Sequence, residues 1–365
     1  MHLLSDSPTL SVFFGTRPQV VKASRLLDAL RKRWDVLAVD TGQHYDYRLH
    51  GTLYDQLGIA PPDAFLEVGS GPHAEQTAAI LTRAATLLTD HRPSAAIVIG
   101  DTNSTTGAAL AAVKLRIPVV HVEAGLRSSD ALMPEEINRR LVDAVAGLLC
   151  APSAAAFDVL TRERTDATIV NTGDVARDVL VHNIARAATL AGHADWPSDV
   201  GERFAFSTIH RAELTGNPDV LQGVLTALGA LDLPVVLAAH PRTEQVLRNE
   251  HIVIPDSVRV IPPLGYLEAV AAVQSAAVVI TDSGGLQREA YWLGVPCVTL
   301  RAETEWHETV AVGANHLVAP AEAAACLPAT VSTAIGQRGW DRDAYGDGHA
   351  AQRIVTAIAD WLDAG

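Results

Sequence analysis

Residues 94–123, SAAIVIGDTNSTTGAALAAVKLRIPVVHVE, carry the reading that decides the fold. Two short aliphatic, β-branched runs, SAAIVI and IPVV, flank a stretch rich in Ala and Thr. Gly100 and Asp101 end the first run, and Thr102, Ser104 and Thr105 suit the start of a helix. Apolar runs without alternation are strands buried on both faces, as in parallel sheets covered by helices. Strand, loop, helix, strand is then a βαβ unit with a right-handed crossover.

The same rhythm extends in both directions. LSVFFG at 10 and DVLAVD at 35 read as strands, and QVVKASRLLDALRKR from 19 and HAEQTAAILTRAATLLTDH from 73 as amphipathic helices. After IPVVHVE the pattern pauses, and TDATIVNTGDV at 165–175 has the Gly and Asn of a hinge. A second series follows: RFAFSTIH at 203, LPVVLAAH at 233, VRVIPP at 258, AAVVITD at 276 and VPCVTL at 295. The expected architecture is α/β, with two doubly wound, Rossmann-like domains facing a central cleft. The expected boundaries are 1–172 and 173–348, with a last helix over 349–365 that could pack on either domain.

Composition narrows the function. The chain has 365 residues, 48% apolar and 19% charged, enough for large cores. Its 28 basic against 42 acidic residues leave a net charge of −14, which argues against a nucleic-acid partner. Cys150, Cys297 and Cys326 are odd in number and far apart, which fits neither a disulfide framework nor a zinc pattern and points to a reducing cytoplasm. No signal peptide or membrane-spanning run is read from the sequence.

The unusual residues stand just after strands, where ligands of open parallel sheets gather. In TDSGGLQREA, Ser283, Gly284 and Gly285 open a helix whose free N–H groups could hold a phosphate, with Glu289 a turn further in and suited to a ribose diol. The same letters also serve as an ordinary Ser-capped strand-to-helix turn. FGTRPQVVK sets Arg17 at the mouth of the first loop and Lys22 a turn inside, without the dinucleotide or P-loop glycine patterns. Gln43 and His44 end the second strand, and His210 and Arg211 follow the first strand of the second series. Asp101 and Glu123 lie at strand ends; Asp101 alone could be a helix cap. Pro134 starts a helix with Glu135 and Glu136 in its first turn and Arg139 and Arg140 four residues beyond each, a common surface pairing. No metal-ligand cluster and no GxSxG nucleophile is present.

Taken together, FGTRPQVVK, TGQH, GDTNST, HVEAGLRS, MPEEINR, TGD, the His-Arg of IHRAE, HPR and TDSGGLQREA resemble, in order, the non-hydrolysing UDP-N-acetylglucosamine 2-epimerases, whose fold is like that of two-domain GT-B glycosyltransferases. The resemblance implies that Arg17, Lys22, His44, Arg211, Ser283, Gly284, Gly285 and Glu289 bind the UDP-sugar, with Arg139 reaching the substrate. It implies that Asp101, Glu123 and Glu135 form the acid/base set, with His210 near the departing diphosphate. The family reaction removes the C2 proton, expels UDP to leave 2-acetamidoglucal, and returns UDP to C1 with protonation of C2 on the other face. It calls for no metal or cofactor, and the family analogy implies a cytoplasmic homodimer. Within the charged stretch, Asp130, Glu136 and Arg140 read as solvated helix-end charge, and Arg127 is open between structural and functional roles. Gln19 stands where the family usually has Glu, Ala212 and Leu214 depart from HRREN, and TEWHE replaces TERPE. Asp46 departs from the pattern of enzymes activated by a second substrate molecule, so no regulatory site is expected. These changes leave room for another UDP-2-acetamido sugar, such as a diacetamido uronic acid. A hydrolysing relative, a GT-B glycosyltransferase and a silent UDP-sugar binder are the competing readings.

Overall fold

The computed structural model describes residues 8–43, 53–190, 200–201 and 203–364. It divides into two compact units, 1–181 with 343–365, and 182–342. His44, one of the candidate binding residues, lies outside the described residues.

In the first unit seven parallel strands are ordered β3-β2-β1-β4-β5-β6-β7. They are β1 (Thr9–Phe14), β2 (Asp35–Asp40), β3 (Ala64–Phe65), β4 (Ala95–Ile99), β5 (Val119–Val122), β6 (Leu148–Ala151) and β7 (Thr168–Asn171). The crossover helices are α1 (Arg17–Leu30), α2 (His73–His91), α3 (Asn103–Lys114), α4 (Pro134–Val145), α5 (Ala154–Glu163) and α6 (Val175–Leu190). The founding βαβ unit is therefore β4-α3-β5, and its strands are wholly buried, which explains their unbroken apolar runs. Small residues let α3 lie close: a Cβ on Gly107 would stand 2.7 Å from the Ile80 side chain of α2. The chain order reverses between β1 and β4, so ligand chemistry is expected beyond the carboxyl ends of these strands.

Two elements depart from the reading of the sequence. The 165–175 stretch holds a strand, β7, at the sheet edge, and its partly exposed residues give it no strong apolar signal. β6 has only four residues, so the sequence rhythm passes over it.

The second unit repeats the plan with six parallel strands, β10-β9-β8-β11-β12-β13. They are β8 (Ala205–Ile209), β9 (Val235–Ala239), β10 (Val258–Ile261), β11 (Val278–Thr281), β12 (Cys297–Thr299) and β13 (Asn315–Leu317). Its helices are α7 (Ala212–Thr215), α8 (Pro218–Gly229), α9 (Pro241–Asn249), α10 (Tyr266–Ser275), α11 (Gly284–Leu293), α12 (His307–Ala311) and α13 (Ala323–Ile335). Alternate strand residues feed two cores. Ala205, Ile209, Val235 and Leu237 meet Leu221, Leu225 and Leu228 of α8 and Leu327 and Val331 of α13. Phe206, Val236 and Ala238 meet Val273 of α10 and Leu286 and Ala290 of α11. The reversal of order falls between β8 and β11.

The terminal helix α14 (Ala350–Ala364) belongs to the first unit, where it packs on α1 and β6. Asp178 caps it, accepting from the N–H groups of Ala350 at 2.9 Å and Ala351 at 2.7 Å. Gly147 admits Trp361 of this helix, whose ring would lie 2.8 Å from a Cβ at that position. Among the described residues no helix is long and apolar enough to cross a membrane.

Candidate active site

In the first unit the strand-end residues are held by a dense set of side-chain bonds. Gly15 packs so closely that a Cβ there would lie 1.8 Å from the Thr41 hydroxyl and 2.5 Å from that of Ser104. Thr16 caps α1, and Gln19 Oε1 accepts from the N–H groups of Gly15 at 2.9 Å and Thr16 at 3.2 Å. Gln19 Nε2 donates to Ile99 O at 2.6 Å and Thr105 Oγ1 at 3.0 Å, which ties the loop after β1 to the loop after β4. Only an amide both donates and accepts in this way without a bound proton, a physical account of Gln at this position. Gln43 closes the same seam through Oε1, which accepts from Ser104 N at 2.9 Å.

Lys22, expected at a phosphate, is buried and forms an ion pair with buried Glu123. Glu123 directly follows β5 with φ +68°, a left-handed conformation that costs a non-glycine residue on the order of 1 kcal/mol or more. Its N–H and that of Ala124 both reach Cys150 O, at 3.1 and 3.0 Å, and this anchors the turn to β6.

Asp101 is not a helix cap, because Thr102 occupies that position of α3. Its Oδ2 instead accepts from Arg139 Nε at 2.9 Å and Nη2 at 2.7 Å, and Asn138 Nδ2 donates to its carbonyl at 2.9 Å. Pro134 does start α4, but the surface reading of its charges fails at Glu136, which is wholly buried. Glu136 accepts from Arg139 Nη1 at 3.2 Å, Arg140 Nε at 2.7 Å and the Ser128 N–H at 2.9 Å. Arg139 therefore binds Asp101 and Glu136, and Glu135 is left half-buried in the first turn.

Sequence reasoning passed over His121 and Asp143. The two meet at the Asp143 carboxylate, whose Oδ1 lies 2.7 Å from His121 Nδ1 and whose Oδ2 accepts from Arg127 Nη1 at 2.7 Å. Burial would raise the Asp143 carboxyl, but His121 and Arg127 outweigh it and hold the group below the usual carboxylate value. Arg127 also pairs with Glu163 at 2.5 Å, and so links Asp143 of α4 to the end of α5. Strand-end position could not have found Asp143, because it lies in the last turn of α4.

In the second unit the loops after β8 and β11 are joined by Asp282, wholly buried and also missed from the sequence. Its Oδ2 accepts from the N–H groups of His210 at 2.8 Å and Arg211 at 2.7 Å, and its Oδ1 faces His210 Nδ1 at 3.0 Å. Burial pushes this carboxyl up, yet the His210 ring and the two backbone donors bring it below its ordinary value. The Nε2 side of the partly exposed His210 ring is thereby turned outward. Ser283 caps α11 with its Oγ 3.4 Å from Leu286 N, so the structural role of this serine is real. The helix start it caps begins at Gly284 and Gly285, whose N–H groups precede the first intrahelical bonds. A Cβ on Gly285 would meet only Ser283 Oγ, at 3.8 Å, so the approach is open. Beside Gly284 stand Glu305 and Trp306 of the TEWHE stretch; Arg288 stacks on Trp306 at 3.8 Å, and Arg301 pairs with Glu305 at 2.8 Å.

Two doubly wound parallel units with charged groups at their reversal points define an α/β enzyme of the GT-B-like class. The sequence profile described as UDP-N-acetylglucosamine 2-epimerase matches residues 28–359. A UDP-2,3-diacetamido-2,3-dideoxy-D-glucuronate 2-epimerase of Pseudomonas aeruginosa is 40% identical over 354 residues, covering 94% of this chain and 98% of its own. A UDP-N-acetylglucosamine 2-epimerase of Methanocaldococcus jannaschii is 35% identical, covering 96% and 98%. The crystal structure of the M. jannaschii enzyme in complex with UDP-GlcNAc and UDP superposes with a TM-score of 0.89 at 35% identity, covering 96% of this chain and 99% of that one. The chain belongs to the UDP-N-acetylglucosamine 2-epimerase family and is an epimerase.

Proposed function

We propose that the chain inverts C2 of UDP-N-acetylglucosamine to give UDP-N-acetylmannosamine, by anti elimination and re-addition of UDP and without net hydrolysis. The observation that carries this is the delivery of two carboxyl groups from adjacent strands. Ile99 and Val122 are partners in the β4–β5 register, with Asp101 two residues beyond the first and Glu123 one beyond the second. Neighbouring strands are about 4.8 Å apart, so the two loops that carry these acids open side by side at one edge of the sheet.

Inversion needs proton work on both faces of C2, and therefore more than one acid. An ammonium beside Glu123 favours its proton-accepting form. A carboxylate takes the C2 proton, the C2–H electron pair becomes the C1=C2 bond, and the C1–O pair leaves with UDP. Return of UDP to C1 with protonation of C2 from the opposite face completes the inversion, with Asp101, Glu123 and Glu135 sharing the two proton transfers. Arg17, Arg211, His210 and the helix start at Ser283, Gly284 and Gly285 would stabilise the diphosphate, with Glu289 on the ribose. The same reading has the enzyme act as a cytoplasmic homodimer.

Incubation with UDP-N-acetylglucosamine in heavy water should place deuterium at C2 and yield the manno epimer without free sugar. Absence of exchange would sink the reading, and accumulation of free N-acetylmannosamine would make it hydrolytic. A second substrate, UDP-2,3-diacetamido-2,3-dideoxy-glucuronate, is favoured by the 40% identity to the Pseudomonas aeruginosa enzyme. The same assay with both nucleotide sugars decides between them by kcat/KM.

A further inference from the structure

Asp101 and Glu123 lie beyond the last ladder pairs of β4 and β5, so the sheet by itself does not set their separation. A buried cluster spans that gap. His121, on β5 and wholly buried, has Nε2 2.8 Å from the carbonyl oxygen of Gly100, the residue before Asp101. Its Nδ1 is 2.7 Å from Asp143 Oδ1. Both ring nitrogens thus face oxygen atoms, and the ring is held on each side by a polar partner. The other oxygen of Asp143 accepts from the N–H of Gly125 at 3.1 Å and from Arg127 at 2.7 Å. The turn carrying Glu123 is therefore gripped on both sides, at His121 and at Gly125. Gly125 has no room to shift, since it holds φ +87° and a Cβ there would lie 2.5 Å from Ala156 O.

We propose that His121, Asp143 and Arg127 are positioning residues that set the distance between the carboxyl groups of Asp101 and Glu123. The inference rests on the proposed reaction, in which those two groups work on one carbon. One link of the brace holds the Gly100–Asp101 loop, and the other holds the Glu123–Gly125 turn. The Arg127 guanidinium on Asp143, with His121 bonded to the other carboxylate oxygen, lets this carboxylate be buried without being left unpaired. Its value to catalysis is geometric, because misplacement of a reacting group by 1 Å costs about 100-fold in rate.

The test compares wild type with Asp143→Asn and Arg127→Gln, the second at a partly exposed position that folding tolerates better. kcat and KM are measured on UDP-N-acetylglucosamine and the diacetamido uronate, UDP affinity by calorimetry, and melting by calorimetric scan, with assays run well below the melting temperature. The expected result is a fall in kcat of about 10- to 100-fold in Asp143→Asn, with a smaller fall in Arg127→Gln, while KM and the UDP Kd stay within about threefold. Folded variants with wild-type kcat overturn the proposal. So does a parallel loss of kcat, substrate affinity and UDP affinity, which marks general loosening. A wild-type enzyme that turns over neither sugar refutes the underlying reaction instead, and the brace's catalytic role falls with it.

Discussion

Replacing Asp282 with Asn changes no shape and removes one buried charge. The carboxylate serves three groups: the N–H of His210 at 2.8 Å, the N–H of Arg211 at 2.7 Å, and His210 Nδ1 at 3.0 Å. An amide has one accepting oxygen. If that oxygen keeps the two backbone donors, the NH2 group is set against Nδ1, and the ring must present a lone pair there and carry its proton on Nε2. The flipped amide would instead oppose two N–H donors with its own. The first arrangement costs less, so the tautomer of His210 reverses. Hydrogen bonds to charged groups contribute about 1.5 to 3 kcal/mol and neutral ones about 1, so two weakened bonds predict a loss of about 1 to 4 kcal/mol. A His210 ring re-set in this way no longer meets the departing diphosphate as in wild type, and loss of one such stabilising contact costs about 100-fold or more in kcat. The assays are epimer formation followed by NMR and unfolding in urea. A variant destabilised by this amount that turns over at the wild-type rate would refute the role assigned to the His210 ring, and one of unchanged stability would refute the charge-assisted account of Asp282.

Gly15→Ala should destabilise the first unit by about 1 to 3 kcal/mol in a thermal melt, because its Cβ would overlap the Thr41 and Ser104 hydroxyls. Glu136→Gln leaves buried Arg139 with a weaker partner and should cost about 3 kcal/mol in urea unfolding, whereas Arg140→Gln at the exposed end of the same pair should cost under about 1 kcal/mol. Asp143 and Asp282 have folded carboxyls held below their ordinary value. Their stabilisation is therefore present above the unfolded value of about 3.9 and lost as pH falls through the folded values, so melting temperature should drop more steeply below about pH 4. Asp143→Asn should flatten that acid limb, and an unchanged limb would count against the pairing with His121 and Arg127.

Much of the fold could be read from local pattern. Unbroken aliphatic runs ending in Gly, Asp or His, as in residues 94–123, announce strands buried on both faces, and amphipathic stretches between them announce crossovers. The weak elements escaped for the same reason: β7 is a half-exposed edge strand and β6 is four residues long, so neither leaves a run that stands out. The strand-end positions of Asp101, Glu123, His210 and Ser283 follow from topology alone.

What the sequence by itself determined is the alternation of strand and helix in two series and the set of polar groups at strand ends, because both depend on residues close together along the chain. Partnership was decided only by the tertiary structure. Arg139 meets Asp101, 38 positions away, because α4 packs beside the loop after β4. Glu136 looks like half of a solvated pair at helical spacing, yet the Ser128 loop covers it and makes it the buried centre of two arginines. His121 and Asp143 become a brace, and Asp282 becomes a clamp on His210, because burial removes water and leaves each polar group only the partner that packing brings to it.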